Sequence, residues 1–217
     1  EEGSKVELTY TRDGKEDKAT LVREKIVQHS VEHEMLEGEI GYIRISSFIE
    51  STAEDFKSAL EDIEDKDAKG LVLDLRDNGG GLVDSCVDIA DEFLDEGVVV
   101  YVEDRNKAKT EYDSDDGKTE LKTVVLVNEN SASASEILAA ALQDNGIELV
   151  GKTTFGKGVI QSTAELDDGS ALKLTIMQYF SPKGNAINKK GVEPDYQVEN
   201  QENSEEDAQL EKALSLF

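Results

Sequence analysis

Ser133 lies in the run Ser131-Ala132-Ser133-Ala134-Ser135-Glu136-Ile137, and Lys157 follows it by 24 residues in Phe155-Gly156-Lys157-Gly158, with Gln161 shortly after. A serine attacks a carbonyl only when a neighbour removes its proton. The two histidines of the chain, His29 and His33, lie far upstream. A Ser-His-Asp triad is therefore hard to build around Ser133, and a lysine base is the natural substitute. The pairing works only if the fold brings Lys157 back to Ser133. A solvated lysine titrates near about 10.4, so as a base it must be desolvated until its pKa falls toward neutral pH. Its neighbours Thr154, Phe155, Gly156, Val159 and Ile160 are mostly apolar or small, which suits that need. A carboxylate held against the ammonium would defeat it, so Glu136 is expected not to pair with the Lys157 side chain.

The flanking residues place Ser133 at a helix start. Val124–Val127 is a short apolar run that reads as a buried strand, Asn128–Asn130 as a turn, and Ile137–Leu142 as an Ala-rich helix former. A helix N-terminus offers free backbone N–H groups and a positive dipole end, which suit a developing oxyanion; the Ala134 N–H is one candidate donor. The same pattern also fits a plain cap, with Ser131, Ser133 or Ser135 as N-cap and Glu136 supporting it. A second loop has the same double reading. Gly70–Leu75 reads as a strand that runs into Arg76-Asp77-Asn78-Gly79-Gly80-Gly81. Three glycines allow positive φ and close backbone approach. Such a turn could donate N–H groups to an oxyanion, cradle a phosphate, or simply turn the chain. It has neither the P-loop nor the G-x-G-x-x-G pattern.

Five ordered blocks resemble the carboxyl-terminal processing proteases, or tail-specific proteases, a family of serine-lysine endopeptidases. They are Gly41–Phe48, Leu71–Gly81, Val127–Ile137, Thr154–Gln161 and Tyr179–Gly184, the last leading to Gly191-Val192-Glu193-Pro194-Asp195, and they span roughly residues 40–196. The resemblance implies that Ser133 is the nucleophile, Lys157 the general base and Gln161 a third member that orients the lysine. It implies an oxyanion hole from the N–H of Ala134 and of Gly80 or Gly81. Asp74, Arg76 and Glu136 match positions that support the geometry of the site. No metal and no cofactor are implied. The substrates implied are proteins and peptides with apolar C-terminal tails, cut near that terminus.

The elements around these blocks agree with an α/β protein. From Ile40 to Val150 the order is βαβα, which argues a largely parallel sheet. Ile40–Ile45 and Val98–Glu103 read as strands. Thr52–Ile63 and Leu82–Leu94 read as amphipathic helices, with Cys86 as a small core residue of the second. Ala164–Leu166 and Ala171–Gln178 form a hairpin across Asp167–Gly169, and Asp113–Gly117 is a hairpin turn in a polar stretch. Val6–Thr11 and Lys18–Val22 form another hairpin across Asp13–Lys15. Ile26–Leu36 reads as a strand that carries His29 and His33 on one face, where surface histidines are favoured over a metal site because no further ligands lie close by. Ala208–Phe217 reads as a short helix that docks by Leu210, Leu214 and Phe217.

The resemblance implies a spiral β-α core like that of the crotonase and Clp protease superfamily. It divides the chain into the C-terminal part of a truncated PDZ domain at 1–25, a serine protease core at 26–198, and an acidic linker with a C-terminal helix at 199–217. A PDZ domain binds a peptide tail as an added strand, and most of one would lie upstream of residue 1. The family works outside the cytoplasm, so an extracytoplasmic location is expected, with membrane association only through an upstream segment. A homo-oligomer is compatible with this reading.

Composition narrows the remaining classes. The formal net charge of −26 opposes nucleic-acid binding, because phosphates would be repelled. No run of about 18 apolar residues is present, as a membrane-spanning helix would need. One cysteine does not make a disulfide framework. Two alternatives stay open: a non-catalytic binder of apolar ligands on the same fold, and a catalytically complete but resting fragment.

Overall fold

The computed structural model describes residues 1–25, 29–115, 118–201 and 206–217. Strands β1 (Lys5–Arg12) and β2 (Lys15–Val22) form an antiparallel hairpin. Asp13 and Gly14 at its tip both take positive φ, the geometry whose twist matches the flanking strands. The chain then runs through β3 (Val31–Leu36), β4 (Ile40–Ile45), α1 (Thr52–Glu64), β5 (Gly70–Asp74) and α2 (Val83–Asp91). Next come β6 (Gly97–Asp104), β7 (Lys109–Ser114), β8 (Thr123–Val127), α3 (Ala134–Asp144) and β9 (Glu148–Gly151). Strands β10 (Val159–Glu165), β11 (Ala171–Phe180) and β12 (Tyr196–Gln197) and helix α4 (Ala208–Leu214) complete the described chain.

A six-stranded sheet in the order β12-β9-β8-β5-β4-β3 forms the centre. All its pairs are parallel except β3 with β4. Helices cover both faces, so β5 and β8 are buried along their whole length and read as continuous apolar runs. Leu71, Leu73, Val125 and Val127 share one core with buried residues of α1, α2 and α3. Val72, Val124 and Leu126 face the other way, onto Ala213 and Leu210 of α4. A second sheet, β10-β11-β6-β7, is antiparallel throughout. The mixed α/β architecture expected from the βαβα order is the one observed.

This layout places two loops side by side. β5 pairs with β8 in parallel, with Asp74 opposite Leu126. The glycine turn leaves the carboxyl end of one strand and the serine turn leaves the carboxyl end of its neighbour, the place where open α/β sheets bind ligands.

The hairpin turn expected at Asp113–Gly117 falls partly outside the described residues: Asp113 and Ser114 end strand β7, and residues 116–117 are not described. A turn not expected from the sequence joins β6 to β7 at Asp104–Ala108, because the Asp104 carboxylate accepts the N–H groups of Asn106 and Ala108 at 2.7 and 2.9 Å and closes a loop there. The strand expected from Ile26 is β3 from Val31, and residues 26–28 lie outside the described residues. The C-terminal segment docks as expected: Leu210 and Leu214 pack on the core, and Phe217, 39% exposed, lays its ring against Gly70, which has no side chain to prevent it.

Candidate active site

Ser133 is the N-cap of α3, and its backbone is strained. Its φ is 58° and its ψ is −115°, a region that residues with a side chain rarely enter. Such a conformation costs about 1–3 kcal/mol and persists only where the surroundings enforce it. A sharp strand-to-helix turn of this kind lifts a serine hydroxyl out of the fold.

Glu136 enforces it. Its carboxylate is fully buried one turn into α3. Oε2 accepts the Ser133 N–H at 2.9 Å and the Lys157 N–H at 2.8 Å. Oε1 accepts the Thr154 hydroxyl and the Gly156 N–H, each at 2.6 Å. One side chain therefore fastens the serine turn to the lysine loop across 24 residues of sequence. The Phe155 N–H adds a direct link to the Ser131 carbonyl at 3.0 Å. Glu136 meets the backbone of Lys157 and not its ammonium: among the described residues the Lys157 Nζ has no ion pair.

The glycine turn packs against the same serine. Gly80 has a φ of +99°, and a Cβ on it would stand 2.8 Å from the Ser133 Cβ and 2.9 Å from the Ala134 nitrogen. Gly81 passes so close to Phe48 that a Cβ there would overlap the Phe48 carbonyl. The Gly80 N–H is already donated to Asn78 Oδ1 at 2.9 Å. The N–H groups of Gly81 and Ala134 have no acceptor among the described residues. Of the two glycines expected to serve an oxyanion, Gly81 is thus the one whose amide is free in this conformation, with the Ala134 amide beside the turn.

Asp74 and Arg76 anchor the start of that turn. Asp74 is 2% exposed. It accepts from the Tyr42 hydroxyl at 2.7 Å and from the Arg76 guanidinium at 2.6 Å. Burial, with the Asp74 carboxylate beside it, pushes the Tyr42 phenol well above its usual range. Arg76 also reaches Asp207 and Gln209, at 2.9 and 3.1 Å, and so ties the turn to α4.

Two expected features are not assembled. Lys157 was expected in a desolvated setting, but its side chain is exposed and Phe155 before it is 67% exposed. Gln161 is exposed on β10 and directs its Nε2 to the Thr175 hydroxyl at 3.5 Å rather than to Lys157. Among the described residues no hydrogen bond joins Ser133 to the Lys157 Nζ. The physical reason is that Glu136 holds only the backbone at Lys157 and leaves the side chain exposed.

Three residues beside the site lie inside the resembling blocks but have no role assigned there. Tyr179 is 4% exposed; burial pushes its phenol up, and the nearby Ser133 side chain holds it back part of the way. Its N–H donates to the Gly158 carbonyl at 2.9 Å, next to Lys157. Thr154 and Asn78 are the others, both buried and both bonded into these loops. Cys86 sits beneath the turn, fully buried with its thiol toward the Ala134 carbonyl at 3.2 Å, and burial raises its pKa far above the usual thiol range. His33 meets Asp62 at the surface at 2.9 Å.

The fold and this site together define an α/β protein with a strained serine at a strand-to-helix turn and free amides beside it, the general form of an acyl-transfer site. The chain belongs to peptidase family S41, whose family model matches residues 39–198. It is 40% identical over 201 residues to the carboxy-terminal processing protease CtpA of Bacillus subtilis (strain 168), covering 91% of this chain and 43% of that protein. It is 41% identical over 209 residues to the chloroplastic carboxyl-terminal-processing peptidase 2 of Arabidopsis thaliana, covering 90% and 40%. The chain thus spans less than half the length of these curated relatives. The solved structure of the photosystem II D1 C-terminal processing protease matches with a TM-score of 0.74 and 34% identity, over 92% of this chain and 56% of that one. Among the described residues no helix is long and apolar enough to cross a membrane.

Proposed function

We propose that this chain is the core of a serine endopeptidase that cuts proteins near their C-terminus. Ser133 attacks the peptide carbonyl while Lys157 takes its proton. The Lys157 ammonium then protonates the leaving amine, and an acyl-enzyme remains on Ser133. Water, deprotonated by the same lysine, hydrolyses the ester. The N–H groups of Ala134 and Gly81 stabilise the oxyanion, and Gln161 orients the lysine. The observation that carries this reading is Glu136, which accepts N–H groups from both Ser133 and Lys157 and so joins the two loops that hold the nucleophile and the base. The names of the relatives support cleavage of proteins at their C-terminus; that the tails are apolar and the processing takes place outside the cytoplasm belongs to the proposal. Residues 1–25 are read as the end of a tail-binding PDZ module, residues 26–198 as the catalytic core, and residues 199–217 as linker and helix.

The exposed Lys157 favours a resting arrangement of this core. A base at neutral pH must be dry, and closure over the lysine is the step that would activate it.

Cleavage of an unfolded protein with an apolar C-terminal tail tests the proposal. Ser133→Ala and Lys157→Ala should each abolish turnover that the parent chain shows. Turnover that survives in both variants would overturn the mechanism. A silent parent chain that gains activity when a complete PDZ domain is joined upstream would support the resting form.

A further inference from the structure

The glycine turn is fixed by a side chain that no solvent touches. Asn78 is 0% exposed. Its Oδ1 accepts the Gly80 N–H at 2.9 Å, and its Nδ2 donates to the carbonyl of Ile45, the last residue of β4, at 2.9 Å. Its own carbonyl accepts the Ala132 N–H at 2.9 Å and the Ser135 hydroxyl at 2.8 Å. One residue thus ties together a central strand, the glycine turn and both neighbours of the Ser133–Ala134 pair.

These bonds divide the amides into two kinds. The Gly80 N–H is consumed inside the protein, and the turn it closes leaves Gly81 exposed. The Gly80 Cα lies against the Ala134 nitrogen, as the 2.9 Å approach of an added Cβ shows. A buried amide is fully satisfied and cannot turn to a ligand without losing its partner, at the cost of an unmet buried polar group. The Gly81 amide, on an exposed residue, carries no such penalty, and the Ala134 amide, on a residue of 0% exposure, has no acceptor among the described residues.

We propose that Asn78 is a positioning residue for the reaction: it holds the Gly80 amide inward, so that the Gly81 and Ala134 amides form the oxyanion-binding pair. The proposal rests on the reading of Ser133 as nucleophile. It assigns Asn78 no contact with substrate. Its effect passes entirely through the geometry of the turn, which must hold donors about 2.7–3.1 Å from the oxyanion.

The test uses amide hydrogen exchange by NMR on the parent chain, alone and with a peptide boronic acid. The Ser133 Oγ adds to boron, and the tetrahedral adduct carries an oxygen at the oxyanion position. In the free protein the Gly80 amide should exchange more slowly than that of Gly81, and Asn78→Ala should erase the difference. In the adduct the Gly81 and Ala134 amides should become protected while Gly80 is unchanged. New protection at Gly80 in place of Gly81 would overturn the proposal. Kinetics give the second readout. Asn78→Ala should lower kcat about 100-fold, the scale of a lost oxyanion donor, and weaken the boronate by a similar factor, while KM moves less than about threefold. Equal weakening of substrate and boronate, in a variant that still melts cooperatively, would mean a general packing defect and sink the idea. Ser133→Ala separates the two levels of inference. If it is inert to the boronate while Asn78→Ala reacts like the parent, only the role of Asn78 fails. If the parent forms no adduct at Ser133, the nucleophile reading fails and takes this one with it.

Discussion

Glu136 concentrates the chemistry of this site in one buried carboxylate that accepts four hydrogen bonds and, among the described residues, pairs with no cation. Charged acceptors bond about twice as strongly as neutral ones. Glu136→Gln keeps the shape but replaces one acceptor oxygen with a donor, which would then face N–H groups. We expect a loss of about 3 kcal/mol in urea unfolding, from the buried amides left without an acceptor, and loss of turnover as the Ser133 strain relaxes. Unchanged stability would show that the four bonds are not coupled. Gly80→Ala is the complementary variant. Its new methyl would meet the Ala132 carbonyl at 2.7 Å and the Ser133 Cβ at 2.8 Å, at a φ of +99°. A kcat loss of about 100-fold follows if the turn shifts its amide donors, readable from steady-state kinetics with tail substrate. Full activity would mean that the turn yields without disturbing Ser133. At this scale the sequence reveals residue types whose spacing carries chemistry. The roles of Ser133, Lys157 and Glu136 come from the resembling blocks, but the helix start at Ser133 is legible in the runs that flank it. Asn78 and Tyr179 are not: a buried amide and a strand tyrosine look like packing until the fold shows which amide and which hydroxyl they face.

Elements are legible where periodicity is strong. β5 and β8 announce themselves as apolar runs, and α3 as an Ala-rich helix. β7 is not legible, because Lys109–Ser114 is polar and becomes a strand only by pairing with β6, while Asp104 captures the turn. The contact between α4 and the glycine turn is equally hidden, since Arg76 and Asp207 are 131 residues apart. Asp207 caps α4 and meets the Arg76 guanidinium at 2.9 Å. Burial tends to raise its pKa, but hydrogen bonds from Asn200 and Leu210 and the charge of Arg76 outweigh it, so the carboxyl is held below its ordinary value. The folded pKa is the lower one, so this contribution to stability is present above the unfolded value near about 3.9 and is lost as pH falls through the folded value. Asparagine caps a helix about as well as aspartate, so Asp207→Asn removes the charge and spares the cap. Its urea midpoint should lie below that of the parent at pH 6–7, and the gap should close as pH falls below about 4. A gap that persists in acid would place the stabilisation in the cap and not in the ion pair.

The charge of the whole molecule, −26 with an isoelectric point near 4.3, acts on partners before any contact forms. The tail-binding chemistry proposed here is apolar, and apolar burial responds weakly to dilute salt. Long-range attraction does respond: the screening length is about 30 Å at 0.01 M salt and about 8 Å at 0.15 M. A surface of one dominant sign raises the encounter rate with partners of the opposite sign by about 10-fold or more at low salt. Two substrates with the same apolar tail, one lysine-rich upstream of it and one neutral, separate the two effects. For the lysine-rich substrate, kcat/KM should fall about tenfold between 0.01 and 0.3 M salt, with the loss in kcat/KM rather than in kcat. For the neutral substrate it should stay within about twofold, because its encounter has no charge to screen. Equal salt dependence for both would mean that the negative charge keeps the protein soluble and does nothing to choose what it cuts. A fall confined to the lysine-rich substrate would make net charge a filter that operates ahead of Ser133, independent of the residues that hold the tail.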